Sequence, residues 1–134
     1  MTDEVKGQEP TAKGQVAGTP TDLRERLLDF AAGCLKLGAR LAKSTPGRYI
    51  AGQLMRSSAS AGANYMEARG AESRADFVHK LQLALKEMKE SQYWLMLAER
   101  GEVVPARVLS DLAGEVDALI RILAKSVVTA KGRK

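Results

Sequence analysis

Apolar residues recur at alternating steps of three and four along four successive segments of the chain. This spacing places them on one face of an α-helix, because 3.6 residues complete one turn. The predicted inner face of the first helix consists of Leu23, Leu27, Phe30, Cys34, Leu37 and Leu41. The inner faces of the other three are Ile50, Leu54, Ala61, Tyr65 and Ala68; Phe77, Leu81, Ala84, Met88, Ser91, Leu95 and Ala98; and Val108, Leu112, Val116, Leu119, Leu123 and Ser126.

Capping residues and helix breakers delimit these four helices. Thr19 and Ser44 each stand shortly before a proline, which fits a side-chain cap followed by proline in the first turn. Residues 73–76 form a capping box that opens the third helix, and Gly70 and Gly101 follow the ends of the second and third. No stretch alternates with a period of two for long enough to form a strand, so the chain is predicted to be all-α. Four helices of about 20 residues joined by short loops favour an antiparallel up-down-up-down four-helix bundle.

The sequence divides into a central body and two tails. Residues 1–20 contain three glycines, two prolines and only two large apolar residues after the initial methionine. They bury too little surface to offset the entropy of ordering and are predicted to be disordered. Residues 21–128 form the predicted bundle domain. Residues 129–134 carry three cations and no acidic residue and are predicted to form a basic C-terminal tail.

One outer side of the second helix carries no charge and lets another backbone approach closely. Residues 57–63 are all Ser, Ala or Gly. Exposed uncharged stripes of this kind mark interfaces, so we expect a homo-oligomer. The alternative is a monomer in which this thin helix is sunk between its neighbours. The uncharged side consists of Ala51, Met55, Ala59, Gly62 and Met66.

Polar residues line facing sides of the second and third helices. In an antiparallel pair that turns near residue 71, Arg56 lies opposite Glu87 and within reach of Glu90. A guanidinium can bind a carboxylate through two parallel hydrogen bonds, so we predict that Arg56 pairs with Glu87 or Glu90. Trp94 flanks this stripe and is expected to pack against a neighbouring helix or subunit.

The same stripe continues along the second helix through Ser60 and Asn64 to Glu67. The antiparallel pairing brings Glu67 near Asp76 or Lys80, and we predict a partly buried pair between Glu67 and Lys80. Two alternatives stay open. The stripe can be an ordinary solvated surface, since exposed ion pairs contribute little, or the pairs can form between subunits instead of within one.

A recurring motif in the second helix resembles a known family. The stretch reads RSSASAGANYMEA, and many members of the family called four helix bundle proteins, or 23S rRNA intervening-sequence proteins, carry a motif similar to R-x-x-x-S-[IA]-x-x-N-[IY]-x-E-[GA]. The resemblance covers residues 22–126 and leaves out the N-terminal tail. The residues that carry it are Arg56, Ser60, Asn64 and Glu67 in the second helix and Asp76, Phe77, Lys80, Leu81, Lys86, Glu87, Glu90, Trp94 and Leu95 in the third.

This resemblance implies an antiparallel four-helix bundle that assembles as a homopentamer in bacteria, with no cofactor and no known enzymatic activity. Some members of the family are encoded inside intervening sequences of bacterial 23S rRNA genes. The fold is also similar to that of the accessory protein of diversity-generating retroelements, a basic pentamer that binds nucleic acid and a reverse transcriptase. Nucleic-acid binding therefore follows only by analogy of fold.

Composition excludes several classes of function. The chain has one Cys and one His, too few for a disulfide framework, a cysteine zinc site or a multi-histidine metal centre. A di-iron site on Glu87-x-x-Glu90 would need further acidic ligands and two histidines. No Ser/His/Asp constellation or glycine-rich phosphate loop is present, so we predict no enzyme, no cofactor and no small-molecule substrate. The sequence has no apolar run long enough for a membrane span and no signal peptide, which favours a cytoplasmic protein without membrane contact.

The charge leaves two functions open. Lys and Arg number 21 against 16 Asp and Glu, a formal net charge of +5, and internal ion pairs would consume part of that excess. We therefore expect first a structural or protein-interaction module. The alternative is an RNA-binding module whose basic patch is repeated in each subunit. Its predicted contacts are Lys86, Lys89, Tyr93 and Arg100 on the third helix and Lys131, Arg133 and Lys134 in the C-terminal tail.

Overall fold

Four α-helices make up the part of the chain that the computed structural model describes, which is residues 20–132, with side chains from residue 23 onward. α1 spans Pro20–Leu41, α2 Thr45–Arg69, α3 Arg74–Arg100 and α4 Ala106–Gly132. These residues contain no strand, and none of their helices is both long and apolar enough to cross a membrane. The predicted all-α class with four helices is therefore confirmed. The predicted N-terminal disorder and the cap at Thr19 lie outside the described residues.

Hydroxyl caps begin two of the helices where the sequence predicts them. At the start of α2, the Ser44 hydroxyl accepts a hydrogen bond of 3.1 Å from the Gly47 amide. At the start of α3, the Ser73 hydroxyl accepts one of 3.0 Å from the Asp76 amide. Each bond satisfies one of the amide groups that find no partner within the first turn of a helix.

The predicted inner faces form the core of the bundle, with one shift in α4. Every predicted residue of α1 and α2 is buried, and in α3 only Phe77 is half-buried. In α4, Val108, Leu112 and Ser126 are half-buried, because the helix is rotated so that their neighbours face inward. The residues of α4 that are buried are Leu109, Val116, Leu119, Leu123, Val127 and Ala130.

α4 continues to Gly132 and so runs past the boundary predicted at residue 128. Val127 and Ala130 extend its inner face by one more step of three and are only 8% and 5% exposed. Packing against the bundle thus keeps residues 129–132 helical although they were predicted to belong to the basic tail. Arg133 and Lys134 lie outside the described residues.

Each helix packs against the next one along the chain, and α1 packs against α4 over a smaller contact than those three pairs. Residue numbers fall along α2 as they rise along α3 at their contacts. Glu67 near the end of α2 contacts Lys80, whereas Ser57 in the middle of α2 contacts Ser91 further along α3. Through these contacts the four helices form a four-helix bundle.

Gly47 lies in the first turn of α2 against the backbone at the end of α1. A Cβ atom at this position would lie 1.8 Å from the Leu41 carbonyl oxygen, and backbone cannot move aside as the end of a flexible side chain can. Gly52 lies in the same helix and has no atom within 4 Å of such a Cβ. The two glycines therefore form a matched pair for one substitution.

We predict that Gly47→Ala lowers the free energy of unfolding by about 3 kcal/mol, because the backbone must shift to relieve the overlap. We predict that Gly52→Ala raises it by about 0.5–1 kcal/mol, because alanine loses less backbone entropy than glycine in a helix. Urea unfolding followed by circular dichroism measures both changes. A Gly47→Ala protein as stable as the wild type would contradict the close contact at the start of α2.

Candidate functional site

Small residues fill the contact between α2 and α3. Ser57 and Ser91 are both 0% exposed, and their hydroxyl oxygens lie 2.8 Å apart. The Ser91 hydroxyl also lies 3.1 Å from the Glu87 carbonyl oxygen. If Ser57 donates to Ser91 and Ser91 donates to that carbonyl, both buried hydroxyls are satisfied. Short side chains of this kind let the two helix backbones approach closely.

Arg56 connects α2 to α3 through two carboxylates that lie about one turn apart. Its guanidinium lies 3.3 Å from Glu87 Oε1 and 2.5 Å from Glu90 Oε2. Trp94 donates its indole N–H to the same Glu90 oxygen at 3.0 Å. We call Arg56, Glu87, Glu90 and Trp94 the α2–α3 network. The structure thus contains the predicted pairing of Arg56, and it forms within one chain.

Charge stabilises the ionised forms of this network. The hydrogen bond from Arg56, and after it the one from Trp94, lowers the pKa of Glu90. The hydrogen bond to Glu90 in turn raises the pKa of Arg56. The Arg56 side chain is 49% exposed and that of Glu87 17% exposed, so water screens the pair from one side. Glu87 Oε1 is buried without a hydrogen-bond partner among the described residues and relies on the nearby guanidinium charge.

The remaining residues of the second-helix motif form two local contacts. The Asn64 amide donates to the Ser60 carbonyl at 3.0 Å and lies 3.2 Å from its hydroxyl, so these two residues bond to each other within α2. Lys80 donates to Glu67 at 2.7 Å, and this hydrogen bond raises the pKa of Lys80. The predicted Glu67–Lys80 pair is present within one chain. The Glu67 side chain is 59% exposed, however, so the pair lies at the surface and only its Lys80 end is partly buried.

Two exposed tyrosines flank Trp94. The ring centroid of Tyr49 lies 5.7 Å from that of Trp94, and the centroid of Tyr93 lies 5.0 Å from it, both in edge-to-face geometry. Trp94 therefore packs against α2, the neighbouring helix, through Tyr49. Sequence reasoning did not assign Tyr49 to the site. The only available signal was its position two turns before Arg56 on the same helix face.

The cations predicted on α3 share its outer side. Lys86, Lys89 and Arg100 are exposed, and Tyr93 beside them is 56% exposed. None of the three cations takes part in an ion pair among the described residues. This part of the predicted nucleic-acid surface is therefore accessible and not neutralised by pairing.

Lys131, the one predicted C-terminal cation among the described residues, lies at the other end of the bundle from Arg100. Arg74 at the start of α3 donates to the Ala130 carbonyl at 3.4 Å, which fixes the end of α4 beside the start of α3. α3 has 27 residues and is therefore about 40 Å long. Lys131 and Arg100 consequently lie at opposite ends of the bundle. Lys131 and Arg100 therefore do not belong to one patch.

The candidate catalytic and metal-binding residues do not lie together in one site. Cys34 is buried in the inner face of α1, and burial raises the pKa of its thiol to about 12. His79 is exposed on α3. Within the described range, no three His, Cys, Asp or Glu residues cluster as metal ligands. The Glu87 and Glu90 carboxylates that a di-iron site would use are held by Arg56 instead.

The predicted uncharged side of α2 is only half exposed. Ala51 is buried. Met55 packs against Gly38 of α1. Its sulfur lies 2.9 Å from the position that a Cβ atom would take if Gly38 carried a side chain. Gly62 packs against Leu27, whose Cβ lies 3.8 Å from the corresponding position. This half fits the alternative reading of a thin helix sunk against its neighbour.

Exposed apolar residues also lie on α1, the helix that this side of α2 packs against. Leu28 and Leu35 of α1 are 62% and 55% exposed, and Met66 of α2 is 47% exposed. Ala59 is exposed on the same side of α2. We call Leu28, Leu35, Ala59 and Met66 the α1–α2 apolar surface. Sequence reasoning missed the two leucines, because it followed only the inner face of the first helix.

The described residues form an all-helical bundle. Their polar groups in the α2–α3 network pair with one another and do not surround a common site. The sequence model of the 23S rRNA-intervening sequence protein family matches residues 23–125. The chain belongs to this family, which confirms the resemblance seen in the sequence.

A solved structure supports the same assignment. The chain is similar to a protein with unknown function from the S23 ribosomal protein family of Bacteroides thetaiotaomicron VPI-5482. The two are 32% identical, the match covers 78% of this chain and 97% of the other, and the TM-score is 0.74. A search of curated proteins found no match to this chain. Neither the family description nor that of the solved structure names an enzymatic activity.

We predict a coupling free energy of about 0.5–1 kcal/mol between Arg56 and Glu90 in a double-mutant cycle made with Arg56→Ala and Glu90→Ala. Urea unfolding at neutral pH measures it. Because the pKa of Glu90 is lowered in the folded chain, this stabilisation is present above the ordinary carboxyl pKa of 4.5. It is lost as the pH falls through the lowered value.

Arg121 and Asp117 of α4 supply the control cycle. Their side chains are 72% and 51% exposed, so water screens this pair more strongly and its coupling is expected to be smaller. A coupling between Arg56 and Glu90 no larger than that of the control, or one that persists at strongly acidic pH, would contradict the account of the network.

Proposed function

We propose that this protein is a non-enzymatic structural or protein-interaction module of the bacterial cytoplasm that acts as a homo-oligomer. The α1–α2 apolar surface is the observation that carries the proposal. Single exposed apolar side chains are ordinary, but a surface of several on two adjacent helices is typical of an interface. The unpaired, buried Cys34 fits a reducing compartment.

The assembly is a homopentamer of antiparallel up-down-up-down four-helix bundles. Contacts within the chain support the antiparallel arrangement. Arg26 of α1 pairs with Glu115 of α4, and Gly33, further along α1, faces Leu112, which is earlier in α4. In the same way, Ser57 of α2 meets Ser91 of α3, and Glu67, further along α2, pairs with Lys80, which is earlier in α3. The number five rests on the family resemblance. A second copy of the chain is the occupant of the α1–α2 apolar surface. In a ring of five, this surface contacts a different surface of the next subunit, because head-to-tail contacts are the ones that close into rings.

The α2–α3 network has a different part in this proposal. Arg56 contacts both Glu87 and Glu90 inside one chain, so this charge pairing forms without a partner subunit. Their contacts fix the register of α2 on α3 and thereby hold the outer side of α2 in place. Tyr49 and Tyr93 remain exposed beside the network, where a protein partner can contact them, because tyrosine and arginine are frequent at interfaces.

Light scattering of the full chain after size-exclusion chromatography tests the oligomer. The expected mass is about five times the 14.5 kDa of one chain. Leu28→Lys combined with Leu35→Lys places charges in the interface and is expected to give a monomer with an unchanged helical spectrum. Val128→Lys is the control, because Val128 is 70% exposed on α4. A monomeric wild type, or a control that dissociates as readily as the double variant, would overturn the proposal.

RNA binding is the second candidate. One observation favours it: Lys86, Lys89 and Arg100 are exposed and outside ion pairs among the described residues, and they accompany the exposed ring of Tyr93. Phosphates bind cations in a salt-dependent manner, and unpaired bases stack on exposed aromatic rings. The assembly of several subunits would repeat this surface and strengthen the binding.

Filter binding with a labelled structured RNA at low and high salt tests this candidate. The double substitution Lys86→Gln and Lys89→Gln is expected to weaken binding about tenfold. It is also expected to reduce the slope of the logarithm of the binding constant against the logarithm of the salt concentration by about two. Lys131→Gln, at the opposite end of the bundle, is expected to leave both unchanged. An absence of binding even at low salt would end the candidate.

A further inference from the structure

A cavity of about 810 Å³ opens at one end of the bundle. It lies where α1 and α3 begin and α2 and α4 end, and residues of all four helices line it. Its lining includes the apolar side chains of Leu23, Phe77, Leu81 and Ile122. Cavities between the helices of a bundle, of roughly 300–1,000 Å³, are common sites for small ligands.

Cations stand among these apolar walls. Arg69, Arg74 and Lys125 line the cavity, and no acidic residue of the described chain does so. Arg69 and Lys125 are exposed and form no ion pair among the described residues. Arg74 donates to the Ala130 carbonyl at 3.4 Å, which holds it at the wall. The cavity therefore combines an apolar interior with positive charge at its edge.

We propose that this cavity binds an amphipathic monocarboxylate with an unbranched alkyl chain of medium length. The alkyl chain lies against Phe77, Leu81 and Ile122, and the carboxylate meets Arg69 and Lys125. A guanidinium matches the two oxygens of a carboxylate, and no acidic residue among the described lining residues would repel it. Each methylene group that enters the cavity is expected to strengthen binding by about fourfold.

The apolar walls and the cations at the edge together favour a ligand that is both apolar and negatively charged. A neutral apolar ligand would leave the cations without a role, and a bare inorganic anion would leave the apolar walls in contact with water. The proposal concerns binding only. It is independent of the proposed oligomer and of RNA binding, because the α1–α2 apolar surface, the α2–α3 network and the α3 cations do not line the cavity.

Isothermal titration calorimetry of the full chain with decanoate, 1-decanol and acetate tests the proposal. Decanoate, kept below its micelle concentration, is expected to bind saturably with one molecule per chain. 1-Decanol is expected to bind about tenfold more weakly, because it lacks the charge-assisted hydrogen bonds. Acetate is expected to show no saturable binding, because it lacks the alkyl chain.

Matched variants separate the charge from the cavity. Arg69→Gln and Lys125→Gln are each expected to weaken decanoate binding about threefold, because each removes one of the two cations, and to leave 1-decanol unchanged. Ser126→Leu fills the cavity and is expected to abolish binding of both ligands. The fold tolerates this change, because the Ser126 hydroxyl donates only to the Ile122 carbonyl of its own helix within the described residues. Lys89→Gln, outside the cavity, is the control for net charge.

Four results would overturn the proposal: no saturable binding of decanoate, equal affinity for decanoate and 1-decanol, equal weakening by Lys89→Gln and Lys125→Gln, or undiminished binding by the Ser126→Leu variant. A thermal melt of each variant confirms that it is folded before its binding is compared. The mass of the oligomer, measured in the same samples, shows that a loss of binding does not arise from a change of assembly.

Discussion

The small side chains between α2 and α3 set the spacing on which the rest of the bundle depends. Ser57 and Ser91 are fully buried, with their hydroxyls 2.8 Å apart, and larger side chains there would push the helices apart. At this spacing Arg56 reaches the carboxylates of the neighbouring helix, and Tyr49 reaches Trp94. A packing constraint in the core thus positions the polar and aromatic groups on the surface.

Local signals in the sequence determine most of the fold. Helix ends follow from side-chain caps such as Ser44 and Ser73, whose hydrogen bonds involve residues only three positions away. Inner faces follow from the period of 3.6 residues. The pairing of Arg56 with α3 could also be predicted, because the short loop between α2 and α3 limits which of their residues can meet. Each of these features depends on neighbours in sequence or on a single turn.

Features that depend on several helices at once could not be predicted in the same way. Leu109 is buried in α4 in preference to the adjacent Val108, and only the position of the neighbouring helices decides between two apolar residues in a row. Leu28 is apolar, yet no other described helix covers it. The end cavity is lined by residues of all four helices. Likewise, Arg100 and Lys131 are separated by the bundle length, which a charge count does not reveal.

The central claim is that the small α2–α3 contact positions the α2–α3 network. Near-ultraviolet circular dichroism of Trp94, the one tryptophan of the chain, tests it most directly in Ser91→Leu and Ser91→Ala. The account predicts that Ser91→Leu loses the Trp94 signal while the helices persist, because the wider spacing separates Tyr49 and Arg56 from α3. Ser91→Ala, which keeps the spacing, retains the signal. A Ser91→Leu protein with an unchanged Trp94 signal would contradict the claim.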